Sequence, residues 1–499
     1  MKFIKEYMLI PMMLVGVLTL QFCNPETRQQ QEMTSEKPTE QMQEIDRATK
    51  PAPGLAPEIK LPKSEKFTLE NGLDVVLVTQ SEVPMLIMDM VVNTGSAADP
   101  VDEPGLADFT AALLDEGTED RTSLEIAEDI DFLGARLNTG SNWDYSYVKL
   151  TTLTKHLDSA LNVYSDMILN ATFPEDEFER VQQERLNSLL QKKDRPSRIA
   201  TDAFYKVIYT KSHPYGTPDE GTEESIKNFT AADLQEFKEK YYVPNNSTLF
   251  VVGDITVEQL RPKLENAFGD WQSNEEEFPV APDIPKTEYS NIYLVDKAGA
   301  PQSQIRIGHP GFHRNNPDYA AVQVMNEILG GSFSGRINMN LREDKGYTYG
   351  ARSLFVYRQG AGPFIAYAGV KTSTTDSSVI EFMKEFHGIV EEQVTDEELE
   401  NAKSSMTLSL ARETETLNQI LDQEIEQVVY NLPEGHVNEY VKNVRNVTKN
   451  DVQRVAKEYL HLDNMAIVIV GDVETIKPGL EAIGYGNIIE LDASGNPVK

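Results

Sequence analysis

Thr230-Ala-Ala-Asp-Leu-Gln-Glu-Phe-Lys-Glu-Lys-Tyr241 recurs later in the chain as Thr448-Lys-Asn-Asp-Val-Gln-Arg-Val-Ala-Lys-Glu-Tyr459. The two copies begin 218 residues apart, and the match continues without a gap to Gly253-Asp254 and Gly471-Asp472. Each copy opens with a threonine suited to a helix N-cap, continues with a helical apolar period and leads into an apolar strand. The repeat predicts that the protein contains a duplicated domain.

A second pair of segments supports the duplication. Phe173–Arg180 and Val394–Asn401 both open long predicted helices, in the same order within their halves. Strands and helices in each half predict an α+β fold, with helices on one side of a mixed sheet. The predicted divisions are a first half at 61–278, a proline-rich linker at 279–288, a second half at 289–491 and a tail at 492–499.

The composition excludes one class of partner and one class of site. The 499 residues carry a formal net charge of −34, and nucleic-acid binding requires clustered Lys and Arg, so nucleic acid is not an expected partner. Solubility explains such a charge, and a preference for basic peptides is the sharper alternative. A single cysteine, Cys23, excludes an intramolecular disulfide and a cysteine-based zinc site.

The segment at 1–23 has the pattern of an export signal. Two lysines precede a mostly apolar run that is short for a membrane span and ends at Cys23. The pattern resembles a bacterial lipoprotein signal, in which Cys23 becomes the lipidated N-terminus, although Phe22 is not the usual small residue; an ordinary or uncleaved signal is the alternative. The resemblance predicts a lipoprotein of the bacterial cell envelope, facing the periplasm or in the outer membrane. Residues 24–60 are polar and predict a disordered tether.

Gly105-Leu-Ala-Asp-Phe-Thr-Ala-Ala-Leu-Leu-Asp-Glu-Gly-Thr118 predicts a helix with a tight C-terminal stop. Its frame resembles the active-site helix of the M16 (pitrilysin/insulinase-like) zinc peptidases, Gly-x-Ala-His-x-x-Glu-His followed by Gly-Thr. Further segments are similar to the same family, in the same order: Leu69-Glu-Asn-Gly-Leu73, His213-Pro-Tyr-Gly216, Leu329-Gly-Gly-Ser-Phe-Ser-Gly-Arg336 and Leu341-Arg-Glu-Asp-Lys-Gly-Tyr-Thr-Tyr349. The resemblance implies two homologous M16/LuxS-like metallohydrolase-type α/β sandwich domains that form a clam-shell.

The residues that would hold a metal in this family are replaced in this chain. Asp108, Ala111 and Ala112 stand where the resemblance places His, Glu and His, and the third-ligand position falls on Gln191. Two imidazoles four residues apart on a helix would face one zinc ion, and a carboxylate between them would act as general base. One carboxylate and one amide do not make such a site, so no metal or cofactor is expected on this chain.

The second half retains the residues that act on the substrate in this family. The resemblance assigns Arg342 and Tyr349 as donors to the substrate carbonyl, and a guanidinium and a phenol both stabilise developing negative charge. Without the resemblance, a surface arginine and a locally bonded strand tyrosine would be the simpler interpretation. Gly330, Gly331 and Ser332 are expected to form a tight turn or a flexible lip that touches the substrate.

The first half has lost its metal-binding residues, whereas the second half keeps Arg342 and Tyr349. This contrast leads to a functional hypothesis. In one branch of the family, one chain carries the zinc motif and a different chain carries the Arg/Tyr pair. The resemblance implies a subunit that is inactive alone and completes the peptide-binding chamber of an M16 partner bearing His-x-x-Glu-His, on which the zinc is expected. A metal-free peptide-binding or scaffold protein of the cell envelope, without a catalytic partner, is the alternative.

Overall fold

The computed structural model describes residues 62–276, 278, 284 and 290–498. The predicted signal segment with Cys23, the tether at 24–60 and most of the predicted linker lie outside the described residues. Within the described part of the chain, no helix combines the length and the apolar character needed to cross a bilayer.

The first half contains one sheet with helices around it, and its elements follow the order predicted from the sequence. The strands are β1 (Glu65–Thr68), β2 (Asp74–Thr79), β3 (Met85–Val92), β4 (Arg136–Ser141), β5 (Ser146–Leu153) and β6 (Ser247–Gly253). The helices are α1 (Leu106–Ala112), α2 (Ser123–Phe132), α3 (Leu157–Asn170), α4 (Glu175–Lys192), α5 (Pro196–Tyr209), α6 (Glu223–Asn228), α7 (Ala231–Tyr241) and α8 (Val257–Phe268).

The second half repeats this design. The strands are β7 (Asn291–Asp296), β8 (Gln302–Pro310), β9 (Thr348–Phe355), β10 (Pro363–Lys371), β11 (Ala466–Gly471) and β12 (Asn487–Leu491). The helices are α9 (Tyr319–Asn326), α10 (Arg336–Asn338), α11 (Thr375–Glu391), α12 (Asp396–Arg412), α13 (Leu417–Val429), α14 (His436–Asn446), α15 (Lys449–Tyr459) and α16 (Val473–Ile483).

The two sheets share one core topology. Their strand orders are β1-β2-β6-β3-β5-β4 and β12-β7-β11-β8-β10-β9. The strand after the repeated helix, β6 or β11, lies between a parallel neighbour and an antiparallel one in both sheets. The predicted helix caps are also present, since the side chains of Thr230 and Thr448 accept hydrogen bonds from the amides of Asp233 and Asp451. The prediction of an α+β fold with two homologous domains is confirmed.

Each sheet is covered on its second face by a helix from the other half. Helix α5 packs on β8 and β11, where Phe204 joins a buried cluster with Val468. Helix α13 packs on β3 and β6, where Leu421 joins a buried cluster with Val91. The prediction of helices on only one side of each sheet is therefore wrong. The physical reason is the near-continuous apolar character of the central strands, which is typical of strands buried on both faces.

One carboxyl group is buried between the first sheet and α13. Asp89 of β3 is 4% exposed and lies opposite Lys149 in the strand register. The Oδ1 atom of Asp89 has no hydrogen-bond partner among the described residues. Nζ of Lys149 lies 3.9 Å from Oδ1 of Asp422 on α13. Lys149 is therefore the nearby cation for both Asp89 and Asp422. Burial raises the pKa of Asp89 from 3.8 to about 7, and the charge of Lys149 opposes the rise.

Asp89 should make the folded protein less stable as the pH rises. Because its pKa of about 7 lies above the ordinary value of 3.8, the folded chain keeps a proton that the unfolded chain releases, and stability is lost up to about pH 7. Between about pH 5.5 and about pH 8, Asp89 should lower the free energy of unfolding by on the order of 2 kcal/mol. When the free energy of unfolding is measured in urea at several pH values, Asp89→Asn should lack this part of the decline. The control Asp131→Asn, at an exposed site, should retain it. An identical decline in Asp89→Asn and in the wild-type protein would contradict the assignment.

Candidate functional site

Helix α1 carries the positions of the metal motif and is fixed at its N-terminus. The carboxylate of Asp99 accepts hydrogen bonds from the backbone amides of Gly105 (2.7 Å) and Ala107 (2.9 Å). These bonds satisfy amides that have no partner within the helix. Gly105 has a φ of +93°, and an added Cβ would lie 2.5 Å from Cα of Gly221. The turn that starts α1 therefore requires glycine.

The three motif positions of α1 do not form a metal site. Ala111 is fully buried and Ala112 is partly buried, and their methyl groups offer no electron pair to a metal. Asp108 forms an ion pair with Arg185 of α4, in which guanidinium Nη1 donates to carboxylate Oδ2. Both side chains are 18% exposed. Arg185 thus neutralises the one carboxylate that the motif retains.

Further charges surround this ion pair. Burial raises the pKa of Asp108, the charge of Arg185 opposes the rise, and the nearby carboxylate of Glu220 adds to it. Glu220 pairs with Lys192 of α4 and with Arg198 of α5, the latter at 2.8 Å between Nη2 and Oε1. Asp108 and Glu220 are therefore compensated by basic side chains from α4 and α5.

The structure does not bring Gln191 to α1. Gln191 is exposed near the C-terminal end of α4, whereas Arg185 is the α4 residue that contacts Asp108. Sequence reasoning missed Arg185, although a signal was present. Phe178 and Val181 mark the buried face of α4, and Arg185 lies four residues after Val181 on the same face.

A zinc ion does not fit the residues at this place. Asp108 offers one carboxylate that is already paired with a cation, while Ala111 and Ala112 offer no ligand. Catalytic zinc sites use three protein ligands, and a neighbouring guanidinium would repel the ion. Within the described residues, no group of three His, Cys, Asp or Glu side chains could hold a metal ion.

Arg342 and Tyr349 open onto one cavity in the second half. The loop between them turns at Gly346, which has a φ of +63° and donates its amide proton to the carbonyl of Arg342 at 3.1 Å. Tyr349 is 90% exposed at the start of β9. The cavity, hereafter the Arg342 cavity, measures about 370 Å³ and is lined by Gln302, Arg342, Glu343, Gly346, Tyr347, Thr348, Tyr349 and Lys371.

Arg342 is oriented by an aromatic ring and a carboxylate. Its guanidinium carbon lies 4.6 Å from the centre of the Phe333 ring, and its Nε atom lies 3.3 Å from Oε1 of Glu343. Arg342 stands in a π-helical turn, Met339–Asp344, and such turns are frequent at functional sites. Among the described residues, its two terminal nitrogens have no hydrogen-bond partner. They remain available to a substrate.

The glycine segment before α10 packs against β9 and does not line the Arg342 cavity. Gly330 is buried, and an added Cβ would lie 2.6 Å from Oγ of Ser353. Gly331 is exposed, and the hydroxyl of Ser332 donates to the carbonyl of Glu327 at 3.1 Å. These contacts give the segment a packing role, and its contact with substrate stays a prediction.

Known proteins resemble this chain over most of its length. Residues 75–216 match the family model "Insulinase (Peptidase family M16)", and residues 228–406 match "Peptidase M16 inactive domain". The uncharacterized zinc protease YmxG of Bacillus subtilis (strain 168) is 26% identical over 71% of this chain and 85% of its own length. The non-peptidase homolog YmxG of Helicobacter pylori (strain ATCC 700392 / 26695) is 22% identical over 78% of this chain and 90% of its own length.

A solved structure agrees with these matches. The peptidase M16 inactive domain from Pseudomonas fluorescens is 25% identical and aligns with a TM-score of 0.77, covering 82% of this chain and 98% of the other. The two family models match residues in both halves, and the metal positions on α1 hold two alanines and one aspartate that is paired with Arg185. The chain therefore belongs to peptidase family M16, as a member of the inactive type.

Proposed function

We propose that this chain is the non-catalytic subunit of a heteromeric M16-type zinc metallopeptidase. It would complete the peptide-binding chamber of a partner that bears His-x-x-Glu-His. The observation that carries the proposal is a contrast between the two halves. Asp108 is neutralised by Arg185 inside the first half, whereas Arg342 and Tyr349 of the second half face an open cavity with their donors exposed.

The chemistry of Arg342 and Tyr349 fits this role. In the proposed complex, the zinc ion and the general base belong to the partner, and the metal would supply an activated water. The guanidinium and the phenol of this chain would donate hydrogen bonds to the carbonyl oxygen of the peptide, where negative charge develops. Stacking on Phe333 and pairing with Glu343 restrict Arg342 before substrate arrives. Donors fixed in advance lower the reorganisation needed during the reaction.

The N-terminal sequence supports a location for the complex. The apolar run that ends at Cys23 is typical of an exported lipoprotein, and the polar residues 24–60 would separate the anchor from the first half. We propose that the complex acts on unfolded or short peptides in the bacterial cell envelope.

Radiolabelled palmitate should be incorporated into the wild-type chain and not into Cys23→Ala.

Purification of the tagged chain from its native membranes tests the proposed partner. We expect an M16 chain with an intact His-x-x-Glu-His motif to co-purify in a fixed ratio, because the donors here need a zinc centre elsewhere. A matched preparation of an unrelated tagged lipoprotein serves as control. If the tagged chain is recovered without any zinc-bearing M16 chain, the heteromer is contradicted and the metal-free peptide-binding or scaffold role is favoured.

A further inference from the structure

The lining of the Arg342 cavity is rich in hydrogen-bond donors and in positive charge. Arg342 and Lys371 bring two cationic groups, and Gln302 and Tyr349 add an amide and a phenol. Glu343 is the one carboxylate of the lining, and it already lies 3.3 Å from Nε of Arg342. The whole chain has 80 acidic and 46 basic residues, so this cavity opposes the general charge of the protein.

Lys371 is placed at the cavity without a counter-ion. Its Nζ atom donates to the carbonyl oxygen of Gly346 at 2.9 Å, and it forms no ion pair with any described carboxylate. Its backbone amide donates to the carbonyl of Tyr347 at 3.0 Å, which fixes the end of β10 against the loop. The neighbouring Lys345, in contrast, lies 3.3 Å from a carboxylate oxygen of Glu381. The ammonium group of Lys371 is therefore not engaged by a described carboxylate and can contact an anionic ligand.

We propose that the Arg342 cavity binds a carboxylate of the peptide substrate, with Lys371 as its main binding group. The inference rests on the proposed function, because the carboxylate would belong to a peptide whose carbonyl contacts Arg342 and Tyr349. A volume of about 370 Å³ lies at the lower end of the range for ligand pockets and suits one or two amino-acid residues. The carboxylate comes from an acidic side chain or from the C-terminus of the peptide. Either source would give this subunit a part in substrate selection.

Binding of matched peptides to the full-length chain tests the inference. Four fluorescent peptides of one sequence would differ only in Glu or Gln at one position and in a free or amidated C-terminus. We expect the carboxylate that the cavity recognises to tighten binding about five- to tenfold, measured by fluorescence anisotropy. The Glu/Gln pair reports on the side chain, and the acid/amide pair reports on the C-terminus. Raising the salt concentration should reduce the preference, because the site is open to solvent.

Variants assign the preference to Lys371. Lys371→Gln should remove the preference for the carboxylate while keeping a donor for the carbonyl of Gly346. Lys371→Arg should retain the preference. Lys345→Gln is the control, since Lys345 does not line the cavity. Equal binding of all four peptides, no binding of any, or an unchanged preference in Lys371→Gln would overturn the inference.

The outcomes separate this inference from the proposed function. If Arg342→Ala leaves the activity of the assembled complex intact while Lys371→Gln abolishes the preference, the role of Arg342 in trans fails and the carboxylate site stands. If Arg342→Ala lowers activity and Lys371→Gln changes nothing, the proposed function stands and the carboxylate site is rejected.

Discussion

Arg342→Ala should lower kcat/KM of the assembled peptidase by about 100-fold, the usual effect of removing one donor from an oxyanion site. The guanidinium is held over Phe333 and Arg342 lines the Arg342 cavity, so the substitution deletes a donor that is positioned before the substrate binds. The loss should fall mainly on kcat, because the interaction strengthens as negative charge develops on the carbonyl oxygen. Steady-state cleavage of a quenched fluorescent peptide by the reconstituted pair measures both constants.

Matched variants separate this effect from general damage. Arg412→Ala removes an exposed arginine at the end of α12 and should leave activity unchanged. Tyr349→Phe keeps the ring and removes the hydroxyl. It should lower kcat by about tenfold, because a neutral phenol is a weaker donor than the guanidinium of Arg342. Full activity of Arg342→Ala in a complex of unchanged stoichiometry would refute the role in trans.

Arg185→Met should destabilise the protein by about 2–3 kcal/mol, because it leaves the carboxylate of Asp108 partly buried and without its cation. This loss of stability is smaller than that for fully buried ion pairs, because both side chains are 18% exposed to solvent. Combining Arg185→Met with Asp108→Leu should recover most of the loss, because no charge is then left unpaired. Urea unfolding at neutral pH compares the single and the double variant with the wild-type protein.

The pH dependence of Arg185→Met gives a second measure of the same ion pair. Without the guanidinium, the pKa of Asp108 should rise further, and acidification should then restore part of the lost stability by protonating the carboxyl. Arg261→Met is the control, because Arg261 lies 3.8 Å from Glu265 in a pair whose side chains are 42% and 28% exposed, so this pair should contribute less than about 1 kcal/mol. Equal stability of Arg185→Met and Arg261→Met would show that Arg185 does not stabilise α1.

The duplication was predictable from sequence, whereas the exchange of helices between the halves was not. The repeat at Thr230 and Thr448 survives in the linear sequence, and each copy carries its own cap and strand, so two similar sheets follow directly. The apolar faces of α5 and α13 indicate that each helix is buried. They do not indicate which sheet covers it, because that choice depends on contacts between distant parts of the chain.

The residues of the candidate site were also only partly predictable from the sequence. The positions of Asp108, Arg342 and Tyr349 followed from short motifs, and the structure places Arg342 and Tyr349 at one cavity. Phe333 and Lys371 could not be assigned, because their contacts with the Arg342 loop arise from a π-helical turn and from the packing of β10. Ligand spacing predicts Gln191, whereas Arg185 is the α4 residue that contacts Asp108, since spacing alone does not determine which face of α4 meets α1.

The zinc content and the peptidase activity of the purified chain, alone and mixed with its partner, test the central claim most directly. We predict less than about one zinc ion per ten chains in the isolated protein, since Asp108 is the one motif position with a ligand atom. We also predict no peptide cleavage by the chain alone, and cleavage by the mixture above that of the partner alone. One bound zinc ion per isolated chain, together with cleavage that a chelator abolishes, would contradict the account.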